Sequence, residues 1–402
     1  MLRLLHISDV LLGARDVGLG DAAPALRERR LAALEAVVDL ALAERIDLVL
    51  VAGNLFASGV ASRRTVERVA AAIGRLAAAR IWTVILPGDA DPYDRASLYR
   101  SYDLAALAGR THDDLVTVLT PGNPSVHLQA LGAVVAGVPE SGQASVDGRM
   151  AGLAAATTGT SATWRIGVAR ASAGVPAGET ATSGLHYLAL GSAGRVPATQ
   201  AGATTSASPG SPERVAVESD DAGVALLVTL DDRGGTPVVQ VAERVVGRTR
   251  HRDIEVDAAQ PGGRAAIADA VRTSAPPDPD LVLDITLSGV RPDASDVEPA
   301  PLVETLRAGY LLVRVIDRSV VPASATPLPP AETVLGAFVR RVEASIVASD
   351  GVGDPTGGAD PAAPADDPAD GPDPGAPADD PAELREVLRL GRRLLAGTEA
   401  AS

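Results

Sequence analysis

The sequence predicts an α/β protein in which mixed sheets are flanked by helices, followed by a smaller α+β domain. Over the first 120 residues, apolar strand-like runs alternate with amphipathic helical stretches, and this alternation favours parallel strands covered by helices. From Leu115 onward the apolar runs become short and closely spaced, which indicates that the sheets are mixed. A new set of strands and helices begins near Val245, which indicates the second domain.

The individual elements follow from hydrophobic periodicity. The first predicted strands cover residues 2–7, 46–52 and 82–86, and the helices between and after them cover 25–44, 63–79 and 95–107. Short strands are predicted at 116–119, 126–128, 133–137, 165–168, 187–190 and 225–230, with loops at 154–163 and 196–211. The second domain is predicted to contain strands at 254–256, 281–287 and 311–315 and helices at 264–271, 302–308 and 331–347. We therefore expect domains at 1–244 and 245–348.

Two further segments follow the second domain. Residues 349–381 are dense in Asp, Pro and Ala and poor in apolar residues, which is typical of a disordered acidic linker. Residues 382–397 then show apolar residues at helical spacing, with arginines mostly on the other face. This helix either folds back onto the body of the chain or, as we favour, docks into a groove of a partner. Its apolar positions are Leu384, Val387, Leu388, Leu394 and Leu395.

The composition excludes several classes of site. The 402 residues include no Cys, which excludes disulfides, thiolate zinc sites and thiol nucleophiles. They also include no Lys, which excludes a P-loop lysine, Schiff-base chemistry and a Ser-Lys pair. The net charge of −15 is unevenly placed, because nine aspartates and no arginine lie in residues 350–380. No apolar run is long enough for a signal peptide or a membrane span, so we expect a cytoplasmic protein.

Short polar loops follow the first three predicted strands. The stretches "LLHISDVLLGAR", "DLVLVAGNLF" and "VILPGDADPYD" resemble the first three motifs of the calcineurin-like metallophosphoesterases. With "LYRSYDLAAL", "HYLALG", "GSPE" and "VGRTR", the resemblance narrows to SbcD-like DNA-repair nuclease subunits and covers most of residues 1–347. It implies a metallophosphoesterase-like layered sandwich, a capping or DNA-contact second domain, and a homodimer. The tail resembles the segment by which that family grips its coiled-coil ATPase partner, SbcC.

Enzymes of this family hydrolyse phosphodiesters with two metal ions, usually manganese, held by carboxylates, an Asn and several His. The resemblance assigns each of these positions to a residue of this chain, and only Asp9 keeps the family's residue. Leu11 stands where the first motif has a histidine, and Asn54 stands where the second has a metal-bridging aspartate. In the third motif Asp89 replaces an asparagine, and Ala90 replaces the catalytic histidine.

The remaining family histidines fall on Arg170, Ser192 and Gly194, so the resemblance leaves no imidazole at a ligand position. Asp9 and Asp89 then need another countercharge. The guanidinium of Arg170 could occupy the position that the cation would take and pair with both carboxylates. The alternative is an arginine that faces solvent.

The five histidines of the chain lie at other positions. His6 and His186 fall in or beside predicted strands, where a histidine that is satisfied within the core is the simpler interpretation. His112, His127 and His251 are expected on the surface or in loops. None of the five replaces a missing ligand.

These substitutions predict a catalytically inactive homologue that acts as a structural or regulatory subunit of a DNA-repair complex with a coiled-coil ATPase. We expect no cofactor, or at most one weakly bound Mg²⁺ or Mn²⁺ on the oxygens of Asp9, Asn54, Asp89 and Asp91. The alternative is a weak or altered metal-dependent phosphodiesterase or DNA exonuclease that retains this reduced site.

Overall fold

A computed structural model describes residues 1–15, 19–109, 114–138, 146–171, 175–213, 222–259, 262–290, 297–320, 330, 332–350, 384, 387 and 388, without the side chains of 21, 146–149 and 347–350. Contacts divide the chain into two compact units. The first comprises Met1–Arg252, Asp278–Leu283 and Gly309–Leu312. The second comprises Asp253–Pro277, Asp284–Ala308 and Val313–Ser402.

The strands and helices are numbered in chain order. The strands are β1 (Leu2–Ile7), β2 (Leu48–Ala52), β3 (Trp82–Leu86), β4 (Val116–Val118), β5 (Ser125–Leu128), β6 (Ala133–Gly137), β7 (Trp164–Arg170), β8 (Tyr187–Gly191), β9 (Val196–Ala201), β10 (Thr204–Ser208), β11 (Val224–Asp231), β12 (Val238–Val245), β13 (Arg250–Asp257), β14 (Asp278–Ser288) and β15 (Tyr310–Asp317). The helices are α1 (Ala23–Ala43), α2 (Arg63–Ala78), α3 (Leu98–Ser101), α4 (Leu104–Leu107), α5 (Val146–Thr157), α6 (Ala177–Thr182), α7 (Gly263–Ser274), α8 (Pro299–Leu306) and α9 (Val334–Asp350).

The first unit contains two six-stranded mixed sheets. The first sheet has the order β12-β11-β1-β2-β3-β4, in which β1 to β4 are parallel and β11 is antiparallel to β1. The second has the order β5-β6-β7-β8-β10-β9, with antiparallel strands at both edges and parallel pairing between them. The prediction of mixed sheets flanked by helices is therefore confirmed.

Hydrophobic packing shows how the layers are arranged. One face of the first sheet packs against α1 and α2, with Val49 and Val51 among the residues buried there. The opposite face packs against the second sheet, where Leu50 and Ile166 belong to one buried cluster. The outer face of the second sheet is covered by α5 through Leu153. Because both faces of the first sheet are covered, all five residues of β2 are buried.

Local sequence explains where several helices begin and end. The side chain of Ser62 caps α2 by accepting a hydrogen bond from the backbone N–H of Thr65 at 3.1 Å. The single helix predicted at 95–107 is wrong, because the chain forms α3 and α4 instead. Tyr102 is extended between them, and the side chain of Asp103 accepts a hydrogen bond from Ala106 N to start α4. The same capping residues that favour helices therefore divide this segment.

Two predicted loops contain regular structure. The segment at 154–163 begins inside α5, and the segment at 196–211 contains β9 and β10, which pair as an antiparallel hairpin. Gly202 joins these two strands in a left-handed conformation, with φ of 59°. Short side chains in this stretch resemble a loop composition, but β10 is completed by pairing with β8, a strand distant in sequence.

The last three strands form a sheet of order β13-β14-β15, and the second unit contains the helices α7 and α8. Ile267 of α7 and Leu302 of α8 are fully buried. The predicted boundary after residue 244 falls within the first unit, because β12 pairs with β11 to its end and the first unit continues to residue 252. The predicted linker lies outside the described residues, apart from 349 and 350, which continue α9.

Within the part of the chain that the structure describes, no helix combines the length and the apolar character that a membrane span requires.

Candidate functional site

The loops after β1, β2 and β3 meet at one edge of the first sheet, because the three strands are parallel neighbours. Asp9 and Leu11 lie in the first loop, Asn54 in the second, and Asp89 and Ala90 in the third. Asp9, Leu11 and Asn54 all have positive φ angles, of 51°, 54° and 55°. Left-handed backbone is rare for residues other than glycine and is costly for a leucine. Rare left-handed backbone at residues other than glycine is thus concentrated in the first two of these loops.

Asp91 holds the second and third loops together. It is fully buried, and its Oδ1 accepts hydrogen bonds from the backbone N–H groups of Asn54 at 3.1 Å and Gly88 at 2.7 Å. Its Oδ2 accepts from the backbone N–H of Phe56 at 2.9 Å and from the Tyr99 hydroxyl at 2.6 Å. Burial raises the pKa of Asp91, and these four hydrogen bonds act in the opposite direction. Both oxygens of Asp91 are therefore engaged in holding the two loops together.

The side-chain amide of Asn54 lies at the centre of the site. Its Oδ1 accepts a hydrogen bond from the backbone N–H of Ala90 at 2.9 Å, and this contact fixes the orientation of the amide because a backbone N–H can only donate. Its Nδ2 therefore points toward the carboxylates and donates to Asp9 Oδ1 and to Asp89 Oδ1, each at 2.9 Å. A donor thus stands where a metal would need an oxygen ligand.

Arg170, the last residue of β7, supplies the positive charge of the site. Its guanidinium contacts Asp9 Oδ2 at 2.6 Å and Asp89 Oδ1 at 2.8 Å. The side chains of Arg170 and Asp9 are 11% and 2% exposed, whereas that of Asp89 is 59% exposed. The contact with Asp9 is therefore a buried ion pair, in which solvent screening is weak, and the contact with Asp89 is screened.

The ionisation of Asp89 reflects the same neighbours. Its partial burial alone would raise its pKa, but the hydrogen bond from Asn54 and the guanidinium of Arg170 outweigh that effect. The pKa of Asp89 consequently lies below its ordinary value. Asp89 is an ionised partner of Arg170 at neutral pH.

Glycines make room for the Arg170 side chain. A Cβ on Gly53, which has φ of 90°, would lie 2.5 Å from Arg170 Cδ. A Cβ on Gly191 would lie 1.8 Å from the Ala52 carbonyl oxygen and 2.9 Å from Arg170 Cδ. Both approaches are closer than real contacts allow, so the stem of Arg170 is packed between backbone segments of β2 and β8. The guanidinium is held in place by packing as well as by charge.

The other predicted positions of the site contribute no ligand side chain that could replace a histidine. Leu11 is half-buried, and its backbone N–H donates to the Asn54 carbonyl oxygen at 3.0 Å. Ser192 is buried, and its backbone carbonyl lies 3.3 Å from the Ser8 hydroxyl. Gly194 is exposed in a turn that packs beside Gly210. The structure therefore brings together Asp9, Asn54, Asp89, Ala90 and Arg170 in one hydrogen-bonded group.

The histidines that the structure describes have other environments. His6 is buried in β1, and its Nδ1 lies 2.8 Å from the Tyr187 hydroxyl. Burial lowers the pKa of His6 to about 3, so it is neutral at physiological pH. His186 Nδ1 accepts a hydrogen bond from the backbone N–H of Arg165 at 3.1 Å. His112 lies outside the described residues.

The donor set of the Asp9 site does not fit a two-metal centre. Such a centre needs a bridging carboxylate and several neutral imidazoles. Here the bridging position holds an amide whose N–H₂ points inward, and a guanidinium contacts both remaining carboxylates. A divalent cation placed between these groups would be repelled by Arg170 and would meet the hydrogen atoms of Asn54.

The described part of the C-terminal segment packs against α9. Leu384 and Leu388 belong to an apolar cluster with residues of that helix, and Leu388 is buried. Val387 is 46% exposed. Leu394 and Leu395 lie outside the described residues. Of the apolar positions predicted for the C-terminal helix, Leu384 and Leu388 thus pack within the chain, whereas Val387 remains exposed. The residues of α9 in this cluster are Leu335, Phe338, Val339, Val342 and Ile346.

Sequence reasoning did not identify the role of Asp91 with Tyr99. The available signal was the position of Asp91 in "GDADPYD", where a carboxylate that follows a strand-end glycine closely can accept hydrogen bonds from the backbone of the same loop. The loop of Asn54 and Phe56 is distant in sequence, so only the fold shows its contacts with Asp91.

Comparison with known proteins identifies the region that contains the Asp9 site. Residues 2–128 match the calcineurin-like phosphoesterase family, and this part of the chain is a calcineurin-like phosphoesterase domain. The chain is similar to the crystal structure of TT1561 of Thermus thermophilus, with 17% identity, coverage of 60% of this chain and 98% of that one, and a TM-score of 0.37. It is also similar to a Staphylococcus aureus structure that carries the name 5′-nucleotidase, with 12% identity, coverage of 60% and 53%, and a TM-score of 0.34, so it spans about half of that protein. The comparison with curated proteins found no match.

Proposed function

We propose that the calcineurin-like phosphoesterase domain of this chain is non-catalytic, and that the chain is an SbcD-like structural or regulatory subunit of a DNA-repair complex. Enzymes of this superfamily typically use divalent metals to activate water and to hold the phosphate. The observation that carries the proposal is the contact of the Arg170 guanidinium with both Asp9 and Asp89. A fixed guanidinium offsets one of the two carboxylate charges and supplies no nucleophile.

The buried ion pair between Arg170 and Asp9 balances the charge of Asp9 without a metal ion. Asp9 is almost completely buried, and an isolated buried carboxylate is costly unless it is paired and hydrogen-bonded. Arg170 supplies the charge and Asn54 supplies a hydrogen bond, so both oxygens of Asp9 have partners. The site then needs no ion to fold, and within the described residues its two carboxylates are already engaged by Arg170 and Asn54.

A phosphodiesterase assay tests the absence of catalysis. The wild-type protein and Asp9→Asn are incubated with bis-p-nitrophenyl phosphate and Mn²⁺, and nitrophenol release is followed. We expect equal rates in both proteins, at the level of the protein-free control. If the wild type shows a Mn²⁺-dependent rate that Asp9→Asn abolishes, the alternative of a weak or altered phosphodiesterase is correct.

The partner we propose is an SbcC-like coiled-coil ATPase, bound through α9 and the C-terminal segment and bringing the chain to DNA. In support, the apolar cluster of these two segments leaves Val334 and Val387 exposed at 73% and 46%. Exposed apolar side chains beside a helical cluster are suited to a groove or coiled-coil surface. The other occupant of this surface, a second copy of the chain, is an outcome of the test.

Val387 gives a sharp test because it is exposed in this chain. Val387→Asp should leave the fold intact and abolish co-purification with the ATPase, since an unpaired charge buried at an interface costs several kcal/mol. Val387→Ala is the matched control and should weaken binding only modestly. Retention of the ATPase by Val387→Asp would contradict the docking role. Loss of self-association instead would assign the surface to a dimer.

A further inference from the structure

A cavity of about 520 Å³ lies beside the amino end of α2, and its lining is strongly basic. It is formed by the loops that follow β1 and β2 and by the amino-terminal halves of α1 and α2. This concentration of positive charge occurs in a chain whose net charge is −15. The charged residues that line the cavity are Arg15, Arg27, Glu28, Arg64 and Arg68.

Three of these arginines lack an ion pair among the described residues. Arg68 forms ion pairs with Glu28 at 2.7 Å and with Glu35 at 3.5 Å. Arg15, Arg27 and Arg64 form no hydrogen bond or ion pair with any residue that the structure describes. Glu28 offsets part of the charge of Arg27 and Arg64, but the lining still has four arginines against one glutamate, and an anion between the guanidinium groups reduces their remaining repulsion. The cavity is therefore suited to a ligand that carries more than one negative charge.

The backbone and the floor of the cavity add two further features. The N-cap Ser62 already satisfies the backbone N–H of Thr65, and the remaining positive end of the sixteen-residue helix α2 favours an anion. Apolar residues also line the cavity: Leu12 and Leu31, which are 2% and 5% exposed, close its floor, and Val60, which is 81% exposed, lies at its opening. The cavity thus combines a cationic rim with an apolar floor, and its volume is within the usual range for small-molecule sites.

We propose that this cavity binds a small organic phosphate, with the phosphate on the arginines and an apolar or planar body on the floor of Leu12 and Leu31. A phosphate offers several oxygens and up to two charges, which matches the planar donor forks of several arginines better than a single carboxylate does. The site uses none of the side chains that form the Asp9 ion pair. Ligand binding in this cavity therefore requires neither a metal nor catalysis. A failure of this proposal would not affect the proposed function, and the reverse also holds.

Calorimetric titration of the full-length protein tests the proposal. The probes are adenosine monophosphate, which has a phosphate and a planar body, and inorganic pyrophosphate, which has charge alone. The variants are Arg27→Gln and Arg64→Gln, with Arg63→Gln as the matched control. Arg63 lies on the same helix, is 80% exposed, pairs with Glu67 and does not line the cavity.

We expect the wild type to bind adenosine monophosphate more tightly than pyrophosphate. Arg27→Gln and Arg64→Gln should each weaken the affinity by about tenfold, which corresponds to one charge-assisted hydrogen bond. Arg63→Gln should change it less than about twofold, as expected for a screened surface charge. Unchanged tryptophan fluorescence shows that the variants are folded.

Three results would overturn the proposal. The first is the absence of binding by both probes at millimolar concentration. The second is an equal loss in Arg63→Gln and Arg64→Gln, which would indicate a diffuse charge effect. The third is tighter binding of pyrophosphate than of the nucleotide, which would remove the role of Leu12 and Leu31. A short 5′-phosphorylated DNA duplex is titrated in parallel. If only the duplex binds, and if Arg27→Gln and Arg64→Gln weaken its binding, the surface contacts a nucleic-acid backbone and not a small ligand.

Discussion

Replacement of Arg170 by methionine should destabilise the first unit strongly. Methionine keeps the apolar stem that packs beside Gly53 and Gly191 but removes the guanidinium. Asp9, which is 2% exposed, is then a buried carboxylate with the Asn54 amide as its remaining side-chain partner. Removing one partner of a buried ion pair costs about 3–5 kcal/mol, and the screened contact with Asp89 adds little. We therefore expect a loss of about 3–5 kcal/mol in the free energy of unfolding.

Urea denaturation followed by tryptophan fluorescence measures this loss in the first unit alone. The chain has two tryptophans, Trp82 in β3 and Trp164 in β7, and both belong to that unit. Arg233→Met is the matched control, because Arg233 pairs with Asp231 on the surface, is 73% exposed, and should cost less than about 0.5 kcal/mol.

Combining the change with Asp9→Asn completes a double-mutant cycle. Once Asp9 is neutral, Arg170→Met should cost much less than it does alone, because no buried charge is left without a partner. If Arg170→Met destabilises the protein no more than Arg233→Met does, the guanidinium is not a structural substitute for a cation and the reasoning is refuted.

Two further predictions concern the same unit. Asn54→Asp replaces the amide donors with a third carboxylate beside Asp9 and Asp89. We therefore expect the free energy of unfolding, measured by urea denaturation in EDTA, to fall by about 2–4 kcal/mol. An unchanged midpoint would contradict the assigned amide orientation. The pKa of His6 is lowered by burial from 6.5 to about 3, so the unfolded state binds its proton first and stability falls as the pH drops below 6.5. The unfolding free energy should decrease by about 1.4 kcal/mol from pH 7.5 to 5.5 through this residue, and His6→Gln should make that dependence shallower; an unaltered slope would assign it to other groups.

Hydrophobic periodicity was sufficient to predict the main layers of the fold. The run that became β2 is apolar throughout, and the runs of β1 and β3 are largely so, as expected for strands with both faces covered. The hairpin of β9 and β10 was not predicted, because its short polar side chains carry no periodic signal and β10 depends on pairing with the distant β8. The helix at 95–107 was predicted as continuous because its hydrophobic spacing continues, but Asp103 provides a new cap within it.

The strand-end loops were predictable as a site, and the resemblance also raised the pairing of Arg170 with Asp9 and Asp89, whereas the orientation of the Asn54 amide was not predictable. Asp9, Asn54 and Asp89 follow predicted parallel strands, and such strands end at a common edge. The orientation of the Asn54 amide depends on one backbone N–H from the third loop, and the position of Arg170 depends on the second sheet. Contacts between segments so far apart in sequence leave no local pattern to read.

Binding of Mn²⁺ in solution tests the central claim most directly. The electron paramagnetic resonance signal of free Mn²⁺ is recorded while protein is added, for the wild type and for Asp9→Asn. If Arg170 occupies the position of the cation, both proteins should leave the signal of free Mn²⁺ equally unchanged at micromolar concentration. Stoichiometric loss of the signal with the wild type, abolished in Asp9→Asn, would show that a metal displaces the guanidinium and would contradict the account.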